Sequence, residues 1–169
     1  MSSQETLDGP RQQYKRLEHS TLAQIVSQMV EKLSVDHLLA YGGLTEDFWM
    51  GFSPQRNVGI QAYRPQIEGK HSMALPSQLV VCVDYLEHTG VLGVEDALND
   101  LQRVTLGSIF VHIKVMEFPD DVQGARAVDR PAIWWLREFA KRFDIQTYQR
   151  LPGGLYIIAY PLPKQEIIH

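Results

Sequence analysis

Three groups of residues in this chain have types and spacings suited to chemistry. Asp84, Glu87 and His88 fall together just after the apolar run Leu79 to Val83, a grouping suited to acid–base work or to metal binding. The paired-histidine spacing of a metal site is missing, so we expect no metal there and read the cluster mainly as packing or as the wall of a ligand site. His112 and Lys114 alternate along a second apolar run and so share one face of a strand. They are the leading candidates for a polar site that takes a ligand. Finally, the strand-like Val35 to Tyr41 runs into Gly42-Gly43, where absent side chains let backbone approach a ligand.

Other chemistries find no support. There is no Gly-x-Ser-x-Gly elbow, and no glycine-rich loop ends in Lys-Ser or Lys-Thr as phosphate cradling requires. The single cysteine, Cys82, lies inside an apolar run, which predicts a buried small hydrophobe and no intrachain disulfide. That usage fits a reducing, cytoplasmic setting. No apolar run approaches the ~20 residues that span a bilayer, and the first residues lack a basic flank and an apolar core. A formal net charge of -4 opposes bulk attraction to a phosphate backbone, so a nucleic-acid partner is unsupported.

The elements that must position these residues follow from periodicity. At 169 residues and 44% hydrophobic content the chain suits a single domain, with residues 1–13 as a polar tail containing Gly9-Pro10. Leu22, Ile25, Val26, Met29, Val30 and Leu33 form one face of a helix, with Ser20 placed to cap it. Four strand-length apolar runs follow, Val35 to Tyr41, Asn57 to Ala62, Gln78 to Tyr85 and Ser108 to Val115. The last two are apolar on both faces, as central strands of a covered parallel sheet are. Val94, Ala97, Leu98, Leu101 and Val104 set a helix between those two, completing a strand–helix–strand crossover. Pro131 opens a further apolar helix, and Asp144 to Arg150 and Leu155 to Pro161 flank Pro152-Gly153-Gly154 as a hairpin. Trp134 and Trp135 are about 100° apart on their helix, so one is expected in the core and the other partly exposed.

These segments together resemble the class I S-adenosylmethionine-dependent methyltransferases, especially small phage-encoded relatives. Leu79-Val-Val-Cys-Val-Asp-Tyr-Leu-Glu-His88 is similar to their fourth-strand motif and is the most specific match. Leu38-Leu-Ala-Tyr-Gly-Gly43 resembles the Leu-Leu-Asp-Tyr-Gly-Cys-Gly turn, Gly59-Ile-Gln-Ala resembles Gly-Val-Glu, and Pro131-Ala-Ile-Trp-Trp135 resembles Pro-Pro-Glu-Trp-Trp. Tyr14-Lys-Arg-Leu17 echoes the N-terminal segment. The implied fold is α/β and Rossmann-like, trimmed of a third strand and helix between Tyr63 and Ser77. Its mostly parallel sheet would end in an antiparallel hairpin, with helices on both faces.

The resemblance also implies S-adenosylmethionine as cofactor, held at Tyr41, Gly42, Gly43, Gln61, Asp84 and Tyr85. Each departure from the pattern weakens that site. Ala40 replaces the acid that lies near the methionine ammonium group, and Gln61 replaces the acid that accepts from both ribose hydroxyls. A neutral acceptor forgoes the charge-assisted part of such bonds. Leu44 stands where a glycine is expected, and Glu46 and Asp47 add negative charge. In the substrate-facing segment Glu117 to Arg130, Gly124-Ala-Arg-Ala keeps a glycine and Arg126 but not the histidine of the family pattern. No proton-transfer role carries over, and no catalytic residue is assigned.

The expected function is therefore a methyltransferase-like protein with weakened or lost S-adenosylmethionine binding, acting through a protein partner as a phage accessory or host-modulating factor. The alternative is an active small methyltransferase for a nucleotide, nucleic acid or small molecule. In a third reading His112, Lys114 and Arg64 take an anion in the same crevice.

Overall fold

The computed structural model describes residues 10–65, 74–115 and 130–163, with no side-chain placement for residues 10–17, 91 and 92. Six strands form one sheet: β1 (His37–Tyr41), β2 (Gly59–Tyr63), β3 (Ser77–Val83), β4 (Thr105–Lys114), β5 (Phe143–Leu151) and β6 (Gly154–Pro161). Their order is β2-β1-β3-β4-β6-β5, with the first four parallel, β6 antiparallel to β4, and β5 antiparallel to β6. Among the described residues no strand lies between β2 and β3 in the chain. The continuous apolar runs are the central strands, since every residue of β3 except Gln78 and residues 108–113 of β4 are buried. The α/β fold with a parallel sheet and terminal hairpin is as expected.

Helices cover both faces. The helices α1 (Pro10–Lys32) and α2 (Glu46–Gly51) pack on one side, where Leu22, Val26, Val30 and Phe48 meet Leu38, Leu79 and Phe110. On the other side lie α3 (Val91–Val104) and α4 (Ala132–Ala140), where Leu98, Leu101, Trp135 and Phe139 meet Val80, Val111 and Ile157. Trp135 is fully buried and Trp134 only partly, as their angular separation predicts. Cys82 is buried. No helix among the described residues is long and apolar enough to cross a membrane.

Two readings at the start of the chain need correction. The first helix begins at Pro10, not after Ser20, so residues 10–13 are helical rather than part of a tail. Apolar periodicity in the sequence begins only at Leu22, but Pro10 fits a first helical position and Arg11, Gln12, Gln13, Lys15 and Arg16 sustain a helix without it. The helix ends at Ser34, whose φ of 52° lets the Val35 amide reach Val30 carbonyl at 3.0 Å. The second correction is α2, which periodicity did not reveal. Thr45 caps it by accepting from the Phe48 amide at 3.2 Å, and Glu46 and Asp47 occupy its first turn, where the helix dipole favours acids. Their charge serves a helix, and Leu44 beside them packs partly buried against the α1 side of the core.

Strand limits shift by one to three residues. The fourth run starts at Thr105, directly after α3, and the last helix ends at Ala140 because Phe143 already pairs in β5. The expected tail residues 1–9 and the substrate-facing residues 117–129, Arg126 included, lie outside the described residues.

Candidate functional site

The sheet order reverses between β1 and β3: the chain moves outward from β1 to β2, then returns to the other side of β1. A crevice opens at the carboxyl ends of strands at such a point. Tyr41, Asp84, His112 and Lys114 all stand at those ends. Asp84 follows β3 directly, in a left-handed conformation with φ 54°, and its amide donates to the His112 carbonyl at 3.0 Å.

Around the Asp84 carboxylate the side chains form a continuous polar chain. His112 Nδ1 lies 2.7 Å from Oδ1, while His19 Nε2 lies 2.9 Å and Lys114 Nζ 3.6 Å from Oδ2. The far nitrogen of His112 faces Glu18 Oε1 at 2.8 Å, close but off line for a directed hydrogen bond. The far nitrogen of His19 faces the Thr45 hydroxyl at 2.7 Å, joining the site to the cap of α2. If that hydroxyl donates to Nδ1 while accepting from Phe48, His19 carries its proton on Nε2, toward Asp84.

Burial would push the Asp84 carboxyl up, but hydrogen bonds from His112 and His19 and the nearby cationic charge hold it far below the usual carboxylate range. For His112 burial pulls downward, yet bonds and charges from Asp84 and Glu18 outweigh it and lift the group to about 9. At neutral pH His112 is therefore an imidazolium on the Asp84 carboxylate, with Glu18 on its far side. His112 and Lys114 converge on Asp84, as their shared strand face suggested. Glu18 and His19 escaped notice because the helix was expected to begin after them. The signal available was the helix-forming run from Arg11 onward, which places both one turn before the buried stripe.

The glycine turn packs against neighbouring side chains. A Cβ on Gly42 would stand 2.5 Å from Cγ of Tyr85, and one on Gly43 would stand 3.0 Å from Nε of Arg64. Tyr85 itself sits edge-on to Tyr41, with ring centroids 5.6 Å apart, and Tyr63 packs against Tyr41 at the same separation. The Tyr41 hydroxyl donates to Asp100 at 2.6 Å. The Gln61 amide, oriented to satisfy its neighbours, donates to the Leu75 carbonyl at 3.2 Å and accepts from the Leu75 amide at 3.3 Å.

No protein-family model matches the chain, and no curated protein matches its sequence. Solved structures do. Magnesium protoporphyrin IX methyltransferase from Synechocystis, with bound S-adenosylhomocysteine, superposes with a TM-score of 0.62 at 11% identity, over 86% of this chain and 83% of that one. N-methyltransferase NodS from Bradyrhizobium japonicum, also with S-adenosylhomocysteine, gives 0.55 at 10% identity, over 94% and 91%. The fold is that of the class I methyltransferases. The PH0226 protein of Pyrococcus horikoshii gives 0.55 at 10% identity, over 92% and 93%. Of the CurJ carbon methyltransferase chain the match spans 54%.

On this methyltransferase fold the polar cluster and the glycine turn occupy neighbouring strand ends, with Asp84 and Tyr85 adjacent in sequence and serving one each. Among the described residues no group of three or more His, Cys, Asp or Glu side chains is placed to hold a metal ion. The position of His112 depends on Gly154, which pairs with Lys114 across β4 and β6: a Cβ there would fall 2.5 Å from His112 Nε2. Gly154→Ala is expected to push the imidazole off Glu18 and cost about 1–3 kcal/mol, as overpacking of a buried site does. Urea denaturation at pH 7 checks this; an unchanged midpoint would show that the ring has room to move.

Proposed function

We propose that this methyltransferase-fold protein has weakened or lost S-adenosylmethionine binding and acts through contacts with a protein partner, as a phage accessory or host-modulating factor. The observation that carries the reading is the packing at the glycine turn, where the Tyr85 ring stands against Gly42 and the Arg64 side chain lies beside Gly43, both on the side where a Cβ would project. Two further features act in the same direction. Gln61 spends its donor and its acceptor on Leu75, and Ala40 offers no charge to the cofactor's ammonium group. The groups present do not fit the cofactor as they stand, and no methyl-transfer step is derived from them.

Isothermal titration at neutral pH with S-adenosylmethionine and with S-adenosylhomocysteine tests the reading. The expected result is no saturable heat at micromolar ligand. Binding at micromolar or tighter affinity would overturn it in favour of an active small methyltransferase, for which Asp84, His112 and Lys114 would be the polar groups nearest the crevice.

A further inference from the structure

Glu87 takes part in none of the contacts described so far, and its surroundings are unusual. Its side chain is fully buried, and neither carboxyl oxygen has a hydrogen-bond partner. His88 Nε2 stands 3.9 Å from Oε1, beyond bonding reach. The charged and titratable groups around it are Asp84 and His88 on its own segment, Cys82 on β3, and His112 and Lys114 on β4. His112 and Lys114 do not donate to it: the His112 nitrogens face Asp84 and Glu18, and Lys114 leans toward Asp84. Glu18 and His19 of α1 belong to that same Asp84–His112 cluster.

The segment holding Glu87 is short and is bounded by a positive-φ residue at each end. Its 3-10 turn, Leu86–His88, is closed by the His88 amide on the Tyr85 carbonyl at 3.1 Å and the Thr89 amide on the Leu86 carbonyl at 3.2 Å. Before it stands Asp84 with φ 54°, and after it Gly90 with φ 79° and open space where a Cβ would be. Tyr85, whose ring packs against Gly42, is the first residue between them.

We propose that Glu87 is a proton-operated latch on the crevice: protonated, it holds the Tyr85–Thr89 segment down, and on losing its proton to solvent it drives that segment outward and lifts Tyr85 from the glycine turn. A buried carboxylate with no side-chain donor carries a desolvation penalty that exposure relieves. Loss of the proton therefore shifts the balance toward moving the segment outward, against the exposure of Leu86 and the loss of the turn hydrogen bonds. Burial first, and the Asp84 charge next, raise the Glu87 carboxyl to about 7, against smaller opposing contributions from its own amide, His112 and Lys114. The latch builds on the glycine-turn reading but does not depend on whether any cofactor binds.

Amide hydrogen exchange at pH 6 and pH 8.5, corrected for the intrinsic pH dependence of exchange, tests it on the full chain. Protection at His88 and Thr89 should fall at least tenfold at pH 8.5 while Val111 and Ile113 in β4 stay protected, and nuclear Overhauser contacts between the Tyr85 and Tyr41 rings should weaken together with it. Glu87→Gln and Glu87→Leu should each keep the turn protected at both pH values. Equal protection in the wild type at both pH values, a loss shared by β4, a loss that persists in either variant, or unchanged ring contacts would each overturn the latch. S-adenosylhomocysteine titration separately reports on the glycine-turn reading, so failure of one is distinguishable from failure of the other.

Discussion

Asp84→Asn is expected to destabilise the protein by about 3–5 kcal/mol at pH 7, the cost of removing one partner from a buried charge pair. Asparagine tolerates the left-handed backbone that Asp84 adopts at φ 54°, so the substitution removes charge with little added strain. His112, buried and cationic, then keeps Glu18 as its single anionic neighbour, and Lys114 loses the carboxylate it leans on. The pH dependence has a definite sign. His112 is raised from its ordinary 6.5 to about 9, so its contribution is complete below 6.5 and disappears as pH rises through 9. Asp84 is lowered, so its contribution is present above 3.8 and is lost as pH falls toward the folded-state value. Urea midpoints measured from pH 5 to 10 should show an alkaline loss of a few kcal/mol in the wild type and a smaller one in Asp84→Asn. Matching alkaline limbs would mean that His112 owes its charge to Glu18 rather than Asp84.

The sheet was legible because its central strands are apolar on both faces, and the alternation of His112 with Lys114 correctly put them on one side of β4. What periodicity could not show was the origin of the other half of the polar cluster. Glu18 and His19 sit in a part of α1 whose sequence carries no regular apolar spacing, so a search for such spacing starts the helix too late. Likewise, α2 is one and a half turns of Glu-Asp-Phe-Trp-Met-Gly, defined by its Thr45 cap rather than by repetition. The cofactor segment presents the converse case. Ala40 and Gln61 depart from the resembled pattern by residue type alone, whereas the packing of Tyr85 against Gly42 and of Arg64 beside Gly43 is a tertiary fact. Nothing in Tyr-Gly-Gly says which way a tyrosine 43 residues later will turn.

That packing can be measured as an energy. Gly42→Ala should cost about 3 kcal/mol, because alanine at φ 85° carries roughly 1–2 kcal/mol of backbone strain and its methyl group overlaps the Tyr85 ring. In a Tyr85→Ala background the ring is gone and only the backbone part remains. The two substitutions should therefore be non-additive, with the double variant about 1–2 kcal/mol more stable than the sum of the singles predicts. Urea denaturation of the four proteins supplies the cycle. Because both residues also touch the Tyr41 aromatic cluster through Tyr85, a Tyr85→Leu background serves as a control: leucine refills the space, and the penalty for alanine at Gly42 should return in part. Additivity within about 0.5 kcal/mol would show that the Tyr85 ring does not rest on the turn in solution. The glycine pair would then be open to a ligand, and the case for a lost cofactor site would fall back on Ala40 and Gln61 alone.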